Sequence, residues 1–466
     1  MNALDVGFGF TITGNGKSLS LKQGEHIRIY PTGRNKGFGE KLTSRQIDLI
    51  RIGMAVHVAD AWVRRKASLN GLRNVTLETE VLDPEFWLKP ETMTLLKDCV
   101  DFLSGGDDWS FRFTPAKISR HDKRTNLFDD LDCNALVHLY SGGLDSSSGL
   151  AARLAEEPGR MVIPVTVRHQ MQKSQLVRDH FSMVVKSGLT KRCDLKPFLA
   201  GAFIRNDSVK RNFDARFKEI THRCRPFLFM GVAGLVANTF TTPRVEVFES
   251  GVGSINLPLV SGPADYRTTR STHPNFLRLI GLLVSHVNDE EVRYVLPFAG
   301  KTKAEMAARL RELNLEELAR KSNSCILHPL LRKGWQQCGQ CPACVFRRQA
   351  LLTAGIAEPK DAYAVDLFSD PQPETVIPTK QLLTIRAFHQ QIAHMPELGS
   401  GIAPPCFKRY LKATNAVSSD AQLAPHVEVY RRYREEWLPL IADARRRRLP
   451  WVSQPRSLLN SQGATS

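Results

Sequence analysis

The chain has 466 residues, which is too long for one ordinary domain, so we expect two or three structural units. Hydrophobic residues make up 42% and charged residues 24%, as in soluble globular proteins, and no apolar run approaches the roughly 20 residues of a membrane-spanning helix. The formal net charge of +17 indicates an anionic partner, such as tRNA, DNA, a nucleotide or an acidic protein surface, without choosing among them. The first five residues show no secretory-signal pattern, so we expect a cytoplasmic protein.

Residues 1–130 are predicted to form a separate α+β domain. A helix capped by Ser44 should run to Trp62, because apolar residues recur there every three to four positions. A second helix is expected over about 90–103, and Gly14-Asn15-Gly16 marks a turn. The predicted strands lie at 8–12, 25–30, 75–82 and 109–113. The polar segment 119–126 is typical of a linker.

Residues 131–358 alternate between strand and helix patterns, which favours an α/β fold with a doubly wound parallel sheet. The strands expected are 135–140, 161–167 and 245–248, with helices over 176–185 and 226–237. Ligands of such sheets bind beyond the carboxyl ends of the strands. The loops after these strands should therefore face one crevice, which places Glu249 near the loop that follows Tyr140.

That loop, Ser141-Gly142-Gly143-Leu144-Asp145-Ser146, joins a buried strand to a helix. Adjacent glycines allow the backbone to approach an anion, and the free N–H groups of a helix start attract one. The loop lacks both the Gly-Lys-Ser/Thr ending of a Walker A motif and the G-x-G-x-x-G spacing of a dinucleotide site. It resembles the pyrophosphate loop of the PP-loop ATPases, which adenylate an oxygen of their substrate and release pyrophosphate.

Four of the nine cysteines, Cys325, Cys338, Cys341 and Cys344, follow the spacing C-x12-C-x2-C-x2-C. Two-residue separations let neighbouring thiolates converge on one ion, which indicates a closed, tetrahedral, structural zinc site. Iron–sulfur clusters use similar runs, so the spacing alone leaves both metals open.

Residues 359–466 are predicted to form a C-terminal helical, basic extension. It contains the run Arg445-Arg446-Arg447-Arg448, which either contacts an anionic partner or is a solvated surface. The tail 453–466 is predicted to be disordered.

Residues 131–355 resemble the 7-cyano-7-deazaguanine synthases (QueC), which are PP-loop ATPases with an adenine nucleotide alpha hydrolase-like core. The resemblance lies in the loop from Ser141 to Ser146, in Leu296-Pro297-Phe298 with Lys301 to Met306, in Ser324-Cys325, and in Cys338 to Cys344 with Arg347. The segments 249–258 and 270–274 are similar to the QueC-like Qat C proteins of bacterial antiphage gene clusters. Arg225-Pro226 and the long interval between the first two cysteines of the cluster depart from the biosynthetic family.

The resemblance implies a ligase of the ATP pyrophosphatase type that forms a C–N bond and uses ATP, Mg²⁺ and Zn²⁺. A carboxylate of a 7-deazaguanine would be adenylated with release of pyrophosphate, and ammonia would then displace AMP to give an amide. In the biosynthetic family a second adenylation leads to the nitrile. In an antiphage relative, the acceptor could instead be the terminal amine of a partner protein from the same gene cluster.

The resemblance also assigns the site residues. Those expected to hold ATP are Ser141, Gly142, Gly143, Leu144, Asp145, Ser146, Glu249 and Lys301. Asp145 is in addition a candidate for Mg²⁺ binding and is grouped with Lys303 and Arg225 as catalytic. Arg225 and His273 are candidates for the substrate side, and the four cysteines for zinc.

Two other functions stay open. A tRNA-modifying PP-loop enzyme would explain the basic charge and should bind tRNA in a salt-sensitive way. A nucleotide-binding assembly subunit would bind ATP and a partner without releasing AMP.

Overall fold

A computed structural model describes most of the chain, namely residues 8–22, 27–31, 41–65, 72–117, 135–168, 172–192, 194–195, 197–204, 219, 221–240, 243–259, 269–326, 337–369, 377–393, 395 and 405–452. The predicted linker at 119–126 and the predicted disordered tail at 453–466 lie outside these residues. Within them, no helix combines the length and apolar character needed to cross a membrane.

The N-terminal part contains a four-stranded sheet in the order β2-β1-β4-β5. Its strands are β1 (Gly9–Gly14), β2 (Lys17–Lys22), β4 (Asn74–Val81) and β5 (Asp108–Pro115). Asn15 and Gly16 have φ values of +54° and +74°, so the predicted turn closes a β1–β2 hairpin. The sequence analysis predicted no strand between 8–12 and 25–30. It therefore missed β2, in which Leu19 and Leu21 alternate with polar residues.

Three helices accompany this sheet: α1 (Ser44–Trp62), α2 (Pro84–Trp87) and α3 (Pro90–Ser104). The cap of α1 is Thr43 and not Ser44, because Thr43 and Gln46 bond each other's backbone N–H groups in a capping box. Almost every residue of α1 is buried, so this helix lies inside the molecule rather than on its surface.

The main sheet has seven strands, with the path β11-β10-β6-β7-β9-β3 and with β8 beside β7. All its neighbours pair in parallel except β3, which is antiparallel to β9. The strands are β3 (Ile27–Pro31), β6 (Ala135–Leu139), β7 (Met161–Arg168), β8 (Asp194–Leu195), β9 (Phe198–Ile204), β10 (Arg244–Glu246) and β11 (Arg293–Val295).

Helices cover both faces of this sheet, as predicted for a doubly wound fold. Val137 and Ile163 face a core that α1, α3 and two later helices share, whereas Leu136 and Val162 face a second core on the opposite side. The helices of this region are α4 (Leu144–Glu156), α5 (Gln172–Lys186), α6 (Arg225–Ala237), α7 (Gly251–Ile255), α8 (Pro274–Asn288), α9 (Lys303–Glu312), α10 (Glu316–Lys321) and α11 (Pro342–Thr353).

The C-terminal part is helical, as predicted, with α12 (Thr379–Ala393), α13 (Pro405–Ala413) and α14 (Leu423–Arg446). Its own core contains the buried Trp437 and Trp451 and also takes in Val252 and Val345 of α7 and α11. The C-terminal helices are therefore packed directly on the α/β region.

The N-terminal part and the main sheet share one hydrophobic core, which extends from Phe8 to Val292. A buried ion network reinforces the junction. Asp60 of α1 accepts hydrogen bonds from Arg73 (2.6 Å) and from the backbone N–H of Cys224 (2.8 Å), at the start of α6. Burial by itself raises the pKa of Asp60, but Arg73 more than reverses this, so the pKa is lowered and the carboxylate is charged. A domain boundary at residue 130 stays a prediction, and it would have to cross this shared core.

We predict that Asp60→Ala lowers the free energy of unfolding by about 3 kcal/mol, because it leaves Arg73 and the Cys224 N–H buried with one partner fewer. Guanidinium unfolding measures this change. The control is Asp98→Ala, which removes an exposed carboxylate of α3 and should change stability by less than about 0.5 kcal/mol. Equal stability of the two variants would contradict the importance of the network.

Candidate active site

A cavity of about 260 Å³ lies at the carboxyl ends of β6, β7 and β10. This is the edge at which ligands of parallel sheets bind. The loop after β6, the start of α6, the end of β10 and a segment before α8 all contribute to its wall. Its lining includes Tyr140, Ser141, Gly143, Asp145, Ser146, Thr166, Arg225, Phe229, Met230, Phe248, Glu249, Ser271 and Thr272.

The loop between β6 and α4 has the conformation that a short anion-binding turn needs. Gly142 has φ +77°, a backbone conformation that residues other than glycine rarely adopt. Gly143, by contrast, is extended (φ −78°, ψ 170°) and caps α4. The conformational need for glycine therefore falls on Gly142. The carbonyl of Gly142 accepts a hydrogen bond from Asn323 N (2.9 Å), and Ser141 Oγ accepts one from Gly143 N (3.3 Å).

Lys303 joins the loop to the opposite side of the site. Its ammonium group donates to Asp145 Oδ2 and lies 3.4 Å from Glu249 Oε1. Lys303 is buried, and burial lowers the pKa of an ammonium group, but the two carboxylates outweigh this, so the pKa of Lys303 is raised and the group is charged. The structure thus brings the candidates Asp145, Glu249 and Lys303 together.

Glu249 carries a perturbed carboxyl group. Burial and the neighbouring Asp145 raise its pKa from 4.5 to about 7, although Lys303 acts in the opposite direction. In such an arrangement the carboxylates can bind a divalent cation, and the ammonium group can contact a phosphate.

The other predicted lysine, Lys301, has an exposed side chain, and its backbone carbonyl accepts a hydrogen bond from Gly251 N (2.9 Å). Thr302 caps α9 and Lys303 begins it. Thr302 is the one residue between the two lysines, and the turn at the start of α9 directs the Lys303 side chain toward Asp145 and leaves the Lys301 side chain in solvent.

Arg225, at the first position of α6, lines the same cavity as the loop. Burial lowers its pKa to about 10, so it stays charged at neutral pH. His273, by contrast, is buried as the cap of α8: its Nδ1 accepts from Asn275 N (3.2 Å), and burial lowers its pKa to about 3. Its neighbours Ser271 and Thr272 line the cavity instead.

Two supports of the site were missed by the sequence analysis. Asn323 fixes the Gly142 carbonyl, and the Tyr140 hydroxyl contacts His180 Nδ1 (2.8 Å) beneath the loop. His180 reaches the Lys321 carbonyl with its other nitrogen (3.2 Å). Asn323 lies two residues before Cys325, a predicted metal ligand. This proximity is the one local signal that could have identified Asn323 from the sequence.

The four predicted cysteines come together in a buried cluster in which all sulfurs lie within 4.8 Å of one another. The sulfurs of Cys338 and Cys344 are 3.8 Å apart. A tetrahedral ion with Zn–S bonds of about 2.3 Å separates its sulfurs by about 3.8 Å. The donor set thus fits a single ion, and a cluster of several irons would need more room between the thiolates.

Residues around the cysteines hold them in place. Gly339 has φ +75°, and a Cβ at this position would lie 1.7 Å from the Val365 carbonyl oxygen, so only glycine fits between the ligands. Arg347 of α11 is fully buried, where it pairs with Glu358 and donates to the Ala319 carbonyl (2.7 Å). Arg347, which the sequence analysis had grouped with the cysteines, therefore anchors α11 to the end of α10.

Comparison with known proteins gives one family match. The family model described as "Queuosine biosynthesis protein QueC" matches residues 135–355, just under half of the chain. The matched segment begins with β6, includes the loop, Arg225, Glu249 and Lys303, and ends after the cysteine cluster. No curated protein matches the chain. Residues 135–355 are therefore QueC-like, whereas the N-terminal and C-terminal parts lie outside the similarity.

We predict that Glu249→Gln makes the protein more stable at pH 8 but not at pH 4. The folded carboxyl group has a pKa of about 7 against 4.5 in the unfolded chain, so the folded state binds the extra proton between these values and loses stability as the pH rises through them. Since one pKa unit corresponds to about 1.4 kcal/mol, the gain at pH 8 is about 3 kcal/mol at most. Unfolding at both pH values measures it, with the exposed Glu290→Gln as control. A pH-independent difference would contradict the assignment.

We also predict that Cys341→Ser removes the bound metal and destabilises the chain, because a structural metal site contributes folding energy. Elemental analysis should find one zinc per chain in the unchanged protein and less in the variant, with a lower melting temperature. Cys406→Ser is the matched control, since Cys406 is exposed and free. Iron with a visible chromophore, or no metal in the unchanged protein, would contradict the zinc assignment.

Proposed function

We propose that residues 135–355 catalyse the ATP-dependent adenylation of a carboxylate, with release of pyrophosphate. The observation that carries the proposal is the buried ammonium group of Lys303, held between Asp145 and Glu249 beside the glycine loop of α4. The similarity to QueC over the same residues supports the reaction class.

The reaction has two steps, and residues of the site can stabilise the charge that develops in the first. A carboxylate oxygen of the substrate attacks the α-phosphorus of ATP, the bond from that phosphorus to the bridging oxygen breaks, and pyrophosphate leaves with the bonding electrons. Negative charge then builds up on pyrophosphate. The backbone N–H groups at the start of α4 and the ammonium group of Lys303 stabilise this charge. An amine nucleophile next displaces AMP and forms an amide.

Mg²⁺ would be held by Asp145. Asp145 Oδ2 contacts Lys303, but its Oδ1 is buried and has no hydrogen-bond partner in the described part of the chain, so one hard oxygen ligand is available. Mg²⁺ would neutralise part of the negative charge of the triphosphate. Zinc, the proposed ion of the cysteine cluster, would serve stability, because all four ligands come from the protein and leave no open position.

A 7-deazaguanine carboxylate is the substrate that we propose, on the basis of the QueC similarity. The cavity offers the aromatic ring of Phe229 and the apolar Met230 for a planar base, and Arg225 for a carboxylate. The parts of the chain outside residues 135–355, together with the resemblance to Qat C proteins, support a role in antiphage defence. There the amine could come from a partner protein.

We predict that Lys303→Met lowers the rate of AMP and pyrophosphate formation roughly a hundredfold, because it removes one charge that stabilises the leaving group. Lys301→Met should lower it far less, since that side chain is exposed. The measurement is AMP and pyrophosphate release from ATP with 7-carboxy-7-deazaguanine, with and without ammonia.

Lys360 is an exposed lysine, so Lys360→Met controls for the loss of one positive charge. Melting temperatures show whether each variant is folded. Formation of ADP and phosphate instead of AMP and pyrophosphate would overturn the reaction class. Equal losses in the Lys301 and Lys303 variants would overturn the role of the buried lysine.

A further inference from the structure

We propose that Arg432 and Glu436, on the C-terminal helix α14, are positioning residues that hold Lys303 against Asp145. The inference rests on the proposed function, in which Lys303 stabilises the leaving pyrophosphate. It adds a part of the chain outside residues 135–355 to the catalytic centre.

Arg432 bridges the two sides of the turn at which α9 begins. Its Nε donates to Glu305 Oε1 (2.7 Å), and its Nη2 donates to the Gly300 carbonyl (2.6 Å). Gly300 and Glu305 lie on either side of Lys303 in the sequence. One planar guanidinium group therefore fixes the chain before and after the lysine.

Glu436 lies one turn further along α14 and contacts the residue just before Lys303. It accepts a hydrogen bond from the hydroxyl of Thr302, the cap of α9, and another from Gln349 Nε2 of α11 (3.1 Å). Thr302 and Gln349 are both buried. The two α14 side chains thus hold the capping box of α9, which Thr302 and Glu305 form, from outside the helix.

This support matters because the helix start and the burial both disfavour the Lys303 cation, so its charge depends on staying beside Asp145 and Glu249. Cations are unfavourable in the first turn of a helix, where the dipole is positive, and this ammonium group is also buried. If the start of α9 unwound, the lysine could move into solvent and leave Asp145 and Glu249 without their shared cation. Holding the helix start fixes the distance at which the ammonium group meets the leaving group.

Neighbouring positions on α14 supply matched controls. Arg431 and Glu435 pair with each other, and Arg431 also pairs with Glu428, all on α14 itself. Arg431→Ala and Glu435→Gln therefore remove the same groups from the same helix without removing a contact to α9; Glu428, the other partner of Arg431, also accepts a hydrogen bond from Arg432 Nη1 (2.9 Å), so Glu435→Gln is the cleaner control. We expect Arg432→Ala and Glu436→Gln to lower kcat roughly tenfold or more, with a much smaller change in KM for the carboxylate, and the two controls to leave kcat unchanged.

A double-mutant cycle distinguishes positioning from general support of the fold. In a Lys303→Met background, Arg432→Ala should cause little further loss of kcat or ATP affinity, because the group that it positions is gone. If Arg432→Ala lowers kcat by the same factor with and without Lys303, or no more than Arg431→Ala does, the inference is wrong. If the protein without substitutions forms no AMP, the proposed function is wrong instead. The ATP affinities of the same variants, measured by calorimetry, would then still test whether Arg432 positions Lys303.

Discussion

A buried ammonium group needs negative partners, and this requirement organises the site. Lys303 finds them on two segments that are far apart in sequence, the start of α4 and the end of β10. The three segments must stay together, since separating them would leave a cation or two carboxylates buried without compensation. The cavity lies where they meet. Its position at the carboxyl edge of the sheet thus follows from one electrostatic constraint together with the parallel topology.

Local patterns predicted the strand, loop and helix around Ser141 to Ser146, and the rule for carboxyl ends of strands placed Glu249 correctly beside the loop. The spacing of the four cysteines predicted their cluster. Such features depend on residues close in sequence or on simple topology. The choice between Lys301 and Lys303 could not be made in this way, because it depends on which residue caps α9 and hence on the direction in which each side chain leaves the turn.

The sequence patterns did not predict which distant elements pack together. Strand β3 pairs with β9, from Ile27 with Ile204 to Pro31 with Ala200, and His273, the cap of α8, contacts the Thr414 hydroxyl just after α13 (3.2 Å). Arg432 shows the same limit: the sequence analysis assigned it only to the helical, basic C-terminal extension, yet it bonds Glu305 and a backbone carbonyl of the α/β region. Periodicity reports which face of an element is apolar, but not which distant element covers it.

The close approach of α1 to α6 has a practical consequence for the length of chain that can be studied alone. Gly53 of α1 packs so tightly on α6 that a Cβ there would lie 3.2 Å from the Leu228 backbone. A fragment cut at residues 135 and 355, where the family similarity begins and ends, would expose this face of α6 to water and lose the bond from Cys224 to Asp60. The stretch that matches the family model is thus shorter than the stretch that shares one core, and the minimal soluble fragment should be chosen by the extent of the core.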